Sequence, residues 1–267
     1  MNRIDNKFQE LKANHQAALV GFVTAGDPDI ETSQKIIETM CDNGVDILEL
    51  GVPFSDPTAD GPVIQRSSTR SLQHGVYMKD VLEMTRKLRK NSQVPVILFS
   101  YYNPIMAYGA TEFYKDALNA GADGLLVVDL PSEEADELIG KWDSDRFSFI
   151  RLVAPTTPKK RMASITANAS GFLYLVSKTG VTGSEGLDTT DIRRHTELLR
   201  SVTALPICVG FGISSPEHVS AISQFADGVV IGSAFERMIE ENLDSPDLPA
   251  MMGVMTAEFK KATMMAL

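Results

Sequence analysis

Short, largely apolar and β-branched runs recur along the chain, and between them apolar residues return at helical spacing. The runs are AALVGFV (17–23), VDILELG (45–51), VPVILFS (94–100), GLLVVDL (124–130), FSFIRLV (147–153), FLYLVS (172–177), PICVGFG (206–212) and GVVIGS (228–233). Several are apolar almost throughout, the pattern of strands in a parallel sheet covered on both faces. Eight strands, each followed by a helix, predict an α/β fold of the (β/α)8 TIM-barrel type, with residues 1–267 as a single domain. An open doubly wound sheet is the competing arrangement. Against it, the turn after the first run reads TAGDPD, not GxGxxG.

The helical stretches carry recognisable starts and faces. Ile37, Met40 and Cys41 make one apolar face behind the acidic opening DPDIET. Pro131-Ser132 followed by acidic residues predicts a helix start in PSEEADELIGKW. Leu248, Met251, Met252, Met255, Phe259, Ala262 and Ala266 form a final stripe, expected to dock on the barrel itself. An extra N-terminal helix with Ile4, Phe8 and Leu11 on one face is expected to plug the bottom of the barrel.

Composition narrows the function classes. A net charge of −10 argues against a nucleic-acid backbone as partner. Cys41 and Cys208 are isolated, and His15, His74, His195 and His218 are scattered without ligand spacing, so no metal site is expected. The N-terminal residues lack the apolar run of a signal peptide, and no stretch approaches a membrane span, so the cytoplasm is the expected location.

In this fold, chemistry belongs at the carboxyl ends of the strands. Glu49 lies within VDILELG between two leucines. Facing inward, it would be a desolvated general acid/base; facing outward, it would pair with a cation. The loop that follows, GVPFSDPTADGPVIQ, holds Asp56 and Asp60, each of which on its own could be a turn residue. Either of them with Glu49 gives two acid/base groups on one strand–loop unit. Late in the chain, TGVTGSEG, GFGISSPE and GSAFER follow the sixth, seventh and eighth runs. Their glycines would let backbone N–H groups approach a phosphate, with helix starts at Ser214-Ser215-Pro216 and Ser233 adding positive dipole; as the bland alternative they only make tight turns.

The segments GDPD, LELGVPFSDPTADGPVIQ, YYNPI, VVDLPSEE, LVAPTT, LYLVSKTGVTGSEG and GFGISSPEHV together resemble the tryptophan synthase α subunit family, over essentially the whole chain. That resemblance implies aldol-type cleavage of indole-3-glycerol phosphate, with Glu49 as the acid/base at the indole C3 and glycerol hydroxyl and Asp60 on the indole N–H. It further implies Tyr174 near Glu49, Thr182 meeting Asp60 on loop closure, and Gly183, Gly212, Gly232 and Ser233 around the phosphate. Phe22 and Phe211 would line the indole pocket. Lys178-Thr179 stands where many relatives have Arg and another residue, which leaves Thr182 and Gly183 in place. The implied partner is a β subunit carrying pyridoxal phosphate in an α2β2 assembly, with no cofactor in this chain. Pro53, Asp56, Asn103 and Pro104, beside Tyr102, would contact it. Two alternatives remain: another phosphate-binding barrel isomerase or aldolase, for which Lys178 is the near Schiff-base candidate, and a catalytically silent subunit that only activates a β partner.

Overall fold

The computed structural model describes residues 2–140, 142–177, 189–210 and 212–264. Its eight strands are β1 (Ala18–Thr24), β2 (Ile47–Gly51), β3 (Val96–Ser100), β4 (Gly124–Val127), β5 (Ser148–Val153), β6 (Leu173–Val176), β7 (Ile207–Gly210) and β8 (Gly228–Ile231). They pair in sequence order, all parallel, and β8 closes on β1. The helices before and around them are α1 (Arg3–Ala13), α2 (Ile30–Asp42), α3 (Pro62–Gln73), α4 (Met78–Leu88), α5 (Tyr102–Tyr108) and α6 (Ala110–Ala120). The second half adds α7 (Ala135–Ile139), α8 (Lys159–Ala167), α9 (Thr189–Arg200), α10 (Pro216–Ser223), α11 (Ser233–Glu240) and α12 (Leu248–Met264). This is the expected TIM barrel.

Most of the strands are shorter than the apolar runs that announced them. Chain continuing past the ladder enters the loops at the mouth, as at Gly212, where φ is +76°. The helix expected from Pro131-Ser132 begins only at Ala135. Pro131 starts a turn instead, with its carbonyl accepting the Glu134 N–H at 3.2 Å, and the Ser132 hydroxyl is turned onto Glu133 and caps nothing.

Alternation along the strands sorts side chains into two cores. Leu19, Leu48, Leu50, Leu98 and Leu125 face out against the helices. Val20, Ile47, Ile97, Leu126, Ile150, Tyr174, Cys208 and Val230 fill the barrel. The bottom is sealed by α1, whose Ile4, Phe8 and Leu11 join that inner cluster, with Phe8 packed on Phe172 at 5.7 Å between ring centroids. Asn2 caps α1 and also donates to the Ser148 hydroxyl at 2.6 Å, while Arg3 pairs with the buried Asp123 at 2.9 Å. The N-terminal helix is therefore a plug, as its apolar face predicts.

The methionine-rich α12 lies against α2 and α10, and Phe259 meets Phe235 of α11 edge-on. Near its end Lys260, almost buried, pairs with the buried Asp46 at 2.7 Å, and the same carboxylate oxygen accepts the Leu19 N–H at 2.8 Å. Removing the cation leaves a desolvated carboxylate with the Leu19 N–H but without its paired charge. Lys260→Met is expected to lower unfolding stability by about 3 kcal/mol near pH 8 and by less near pH 4, where Asp46 can take a proton. Urea titrations at the two pH values check this; an equal loss at both would show that the charge of Asp46 is not what Lys260 offsets.

Candidate active site

The parallel register sets Glu49 of β2 beside Phe22 of β1 and Ile97 of β3. Leu48 and Leu50 face the helices, so Glu49 must face the barrel interior. It is fully buried, and neither carboxyl oxygen has a hydrogen-bond partner among the described residues. Burial alone pushes its pKa from 4.5 to about 8, because nothing nearby stabilises the anion. Of the two orientations open from sequence, the structure selects the inward one.

Asp60 enters from the loop after β2, immediately before Gly61, the residue at the start of α3. The Tyr101 hydroxyl donates to Asp60 Oδ2 at 3.0 Å and accepts the Ala59 N–H at 2.9 Å. Gln65 reaches back to the Asp60 carbonyl at 2.8 Å, and the Phe54 ring leans on Tyr101 at 5.1 Å. The loop is thus pinned at several points. Burial raises the Asp60 pKa to about 6, and the Tyr101 hydrogen bond restrains the rise.

Both carboxyls line one cavity at the mouth of the barrel, with Phe22, Phe99, Ile64, Tyr174, Ile213, Val230, Gly212, Gly232 and Ser233. Phe22 and Phe99 meet edge-on at 5.0 Å. Two glycines make room for the aromatic wall. A methyl group at Gly51 would sit 2.7 Å from Phe22 Cζ, and one at Gly210 would collide with the Tyr174 hydroxyl. Tyr174 is buried, and burial together with Glu49 keeps its phenol protonated. Beside Phe22, α11 opens at Gly232-Ser233 with no side-chain cap, so its first N–H groups have no acceptor within the helix.

The structure therefore gathers Phe22, Glu49, Asp60, Tyr174, Gly212, Gly232 and Ser233 into one site. Thr182, Gly183, Phe211, Lys178 and Thr179 lie outside the described residues. Asp56 is exposed and held by the Ser55 hydroxyl, away from the cavity. Pro53, Asn103 and Pro104 line a separate groove of about 660 Å³ with Val52, Phe54, Tyr77 and Tyr108. Phe99 and Tyr101 were missed. Strand parity could have found Phe99, which is two residues beyond the inward Ile97; nothing local marks Tyr101.

A family model described as tryptophan synthase alpha chain matches residues 8–264. The chain is 62% identical over 265 residues to the tryptophan synthase alpha chain of Desulfosudis oleivorans, covering 99% of this chain and 100% of that one. It is 58% identical to that of Desulfatibacillum aliphaticivorans, covering 98% and 99%. The crystal structure of tryptophan synthase subunit alpha from Legionella pneumophila superposes with a TM-score of 0.90 at 40% identity, covering 98% of each chain. The chain belongs to the tryptophan synthase alpha chain family. It is accordingly a lyase subunit of tryptophan biosynthesis, and its reaction is the family's cleavage of indole-3-glycerol phosphate.

The buried Glu49 couples folding to pH. The unfolded chain releases this proton near 4.5 and the folded chain near 8, so between those values the folded state holds the extra proton. Stability falls as pH rises through that window, by roughly 1.4 kcal/mol per unit for one proton. Glu49→Gln should remove this slope, so the stability difference between variant and wild type grows from pH 5 to pH 8. Parallel curves in urea unfolding would show that Glu49 titrates as it does in water.

Proposed function

We propose that Glu49 and Asp60 divide the acid and base work of indole-3-glycerol phosphate cleavage. The observation that carries this reading is a pair of carboxyls on one apolar cavity whose pKa values, about 8 and about 6, fall on opposite sides of neutrality. At neutral pH Glu49 is an acid and Asp60 an anion. The Glu49 proton goes to the indole C3, turning the ring into an indolenine-like cation. Asp60 accepts the indole N–H hydrogen bond and stabilises that positive charge. The adjoining glycerol hydroxyl then gives its proton to the Glu49 carboxylate and becomes a carbonyl. The carbon–carbon bond breaks, its electrons restore the aromatic ring, and indole leaves glyceraldehyde 3-phosphate behind. Glu49 ends the cycle protonated again.

The remaining lining fits the rest of the substrate. Phe22 and Phe99 offer an apolar wall for the indole ring, with Tyr174 as a neutral phenol beside Glu49. Gly212, Gly232 and Ser233 would receive the phosphate at the α11 start, where free N–H groups and the helix dipole favour an anion. None of these steps calls on a cofactor in this chain. Among the described residues no group of His, Cys, Asp and Glu could hold a metal, and no helix is long and apolar enough to cross a membrane.

An alpha chain implies a beta chain. The α2β2 assembly, pyridoxal phosphate in the β subunit, transfer of indole to it and a cytoplasmic setting are further parts of this reading. The groove of Pro53, Asn103 and Pro104 is the surface we assign to β. Tyr77, 58% exposed, and Met106, 50% exposed, stand at or near it and supply apolar area to bury. Asp56, exposed on the same loop as Pro53, links that surface to Asp60. The intact Glu49–Asp60 pair speaks against a silent subunit.

Indole release by wild type, Glu49→Gln and Asp60→Asn, each with and without a β chain, tests the assignment. Each substitution is expected to lower kcat by on the order of a hundredfold or more while substrate still binds. Absence of indole from the wild type under both conditions would refute the reading. The wild-type kcat/KM should rise with pH through about 6 as Asp60 ionises and fall through about 8 as Glu49 loses its proton. Tyr101→Phe removes a hydrogen bond to the Asp60 anion, so the rising limb should move to higher pH and the falling limb stay in place. Movement of neither limb, or of both, would count against Asp60 as the group behind the first.

A further inference from the structure

One buried acid has no part in the steps above, and it sits one helical turn behind the α11 start. Glu236 is fully buried; its Oε1 accepts the Thr24 N–H at 2.5 Å, while Oε2 accepts no hydrogen bond among the described residues and the carboxyl lies within hydrogen-bonding reach of Asp27, to which it can donate only when protonated. Its own backbone N–H donates to the Gly232 carbonyl at 3.0 Å. A single residue thus holds the first turn of α11 through its main chain and the end of β1 through its side chain. Gly232 and Phe22, two residues before Thr24, face the same cavity.

The charges around Glu236 come from three elements. The β1–α2 loop contributes Asp27, buried and gripped by Arg70 of α3 through two hydrogen bonds of 2.8 and 2.7 Å. Glu240, the next turn of α11, is held by Arg70 at 3.0 Å and by Arg66 of α3 at 2.6 and 2.7 Å. Two guanidinium groups therefore face two carboxylates, and the cluster is neutral before Glu236 is counted. An ionised Glu236 would be a third, uncompensated anion beside Asp27 in a dry site, so it rests as a neutral acid; burial first, and Asp27 next, drive it that way. The same cluster ties α11 to α3, the helix that starts directly after Asp60.

We propose that Glu236, in its neutral form, is a positioning residue that seats the first turn of α11 against β1 and so sets the geometry in which Gly232 and Ser233 receive the substrate phosphate. This rests on the phosphate site proposed above. Glu236 does not line the cavity, and the phosphate takes no part in the bond that breaks. Its loss should therefore appear in binding more than in turnover.

The test uses the full chain with its β chain and inorganic phosphate as probe, by calorimetry and as a competitive inhibitor. Glu236→Ala, which has no acceptor for the Thr24 N–H, and Glu236→Asp, which cannot reach it, should each weaken phosphate binding about tenfold and raise KM equally, with kcat within about threefold. Glu236→Gln keeps a neutral acceptor and should stay within about threefold of wild type on every readout. Rescue by Gln but not Asp is what a role in mere core filling would not produce. Gly232→Val, which crowds the cavity beside Phe22, separates the two ideas. If wild type and Gly232→Val bind phosphate alike, or neither binds it, the phosphate site itself is wrong. If Gly232→Val loses phosphate while Glu236→Asp and Glu236→Ala keep it, the site stands and the positioning role falls. Gln behaving as badly as Ala would also overturn the role of the neutral acid.

Discussion

A carboxyl group inside an apolar barrel has no inexpensive charged state, and the placement of Glu49 makes the rest of the site depend on that fact. The group stays protonated at neutral pH only while water and cations are kept from both of its oxygens. Exclusion from below is the work of α1, whose Ile4, Phe8 and Leu11 complete the inner cluster at the foot of the barrel. Exclusion at the sides comes from the parallel strands themselves, whose inward residues around Glu49 are apolar or aromatic. The single direction left open is the mouth, where a substrate can meet an acid and not a solvated anion. The N-terminal helix, at the far end of the barrel from the mouth, thus helps keep Glu49 protonated near neutrality.

Asp60 is built on the opposite principle. It is reached by one hydroxyl donor, its loop is held by the Ala59 and Gln65 hydrogen bonds, and it is only partly withdrawn from solvent. Its anion is therefore within reach at neutral pH where that of Glu49 is not. Two groups with the same functional chemistry thus favour different protonation states because of the density of packing around them. The glycines complete the arrangement by subtraction. Gly51 and Gly210 leave the volume that Phe22 and Tyr174 fill, so the aromatic wall stands at the distance from Glu49 that the missing methyl groups allow.

Much of this was legible in the chain. Strands buried on both faces read as near-continuous apolar runs, so their number, order and parallel pairing follow from pattern alone. The same continuity hides which face is which. VDILELG has no polar alternation to orient it, and the direction of Glu49 is settled only by Leu48 and Leu50 meeting helices. The ends of β4, β6, β7 and β8 were overestimated because the runs continue into mouth loops that no longer pair, the runs for β2, β3 and β5 began before their ladders, and α7 begins late because Pro131 favours a turn over a first helical residue. Tyr101 was illegible for another reason. Its partner Asp60 is 41 residues away in sequence, and only closure of β2 against β3 brings the two together.

Glu236 extends the same physics from the reacting end of the cavity to the end where the phosphate would lie. Both Glu49 and Glu236 are fully buried, and each has an oxygen that accepts no hydrogen bond among the described residues. Burial holds both toward the neutral acid, so near neutrality the folded chain carries less negative charge than its formal −10. The unfolded chain ionises both. Folding and function therefore draw on the same two protons. In the roles proposed above, one is delivered to the substrate and returned in each cycle, and the other is kept, because its loss would place a third carboxylate beside Asp27. An alkaline limit on this enzyme would then have two separable origins, loss of the proton that is transferred and loss of the proton that holds α11 in place. If Glu49 passes its proton to the substrate and Glu236 only seats the helix assigned to the phosphate, as proposed above, the first should register in turnover and the second in substrate binding.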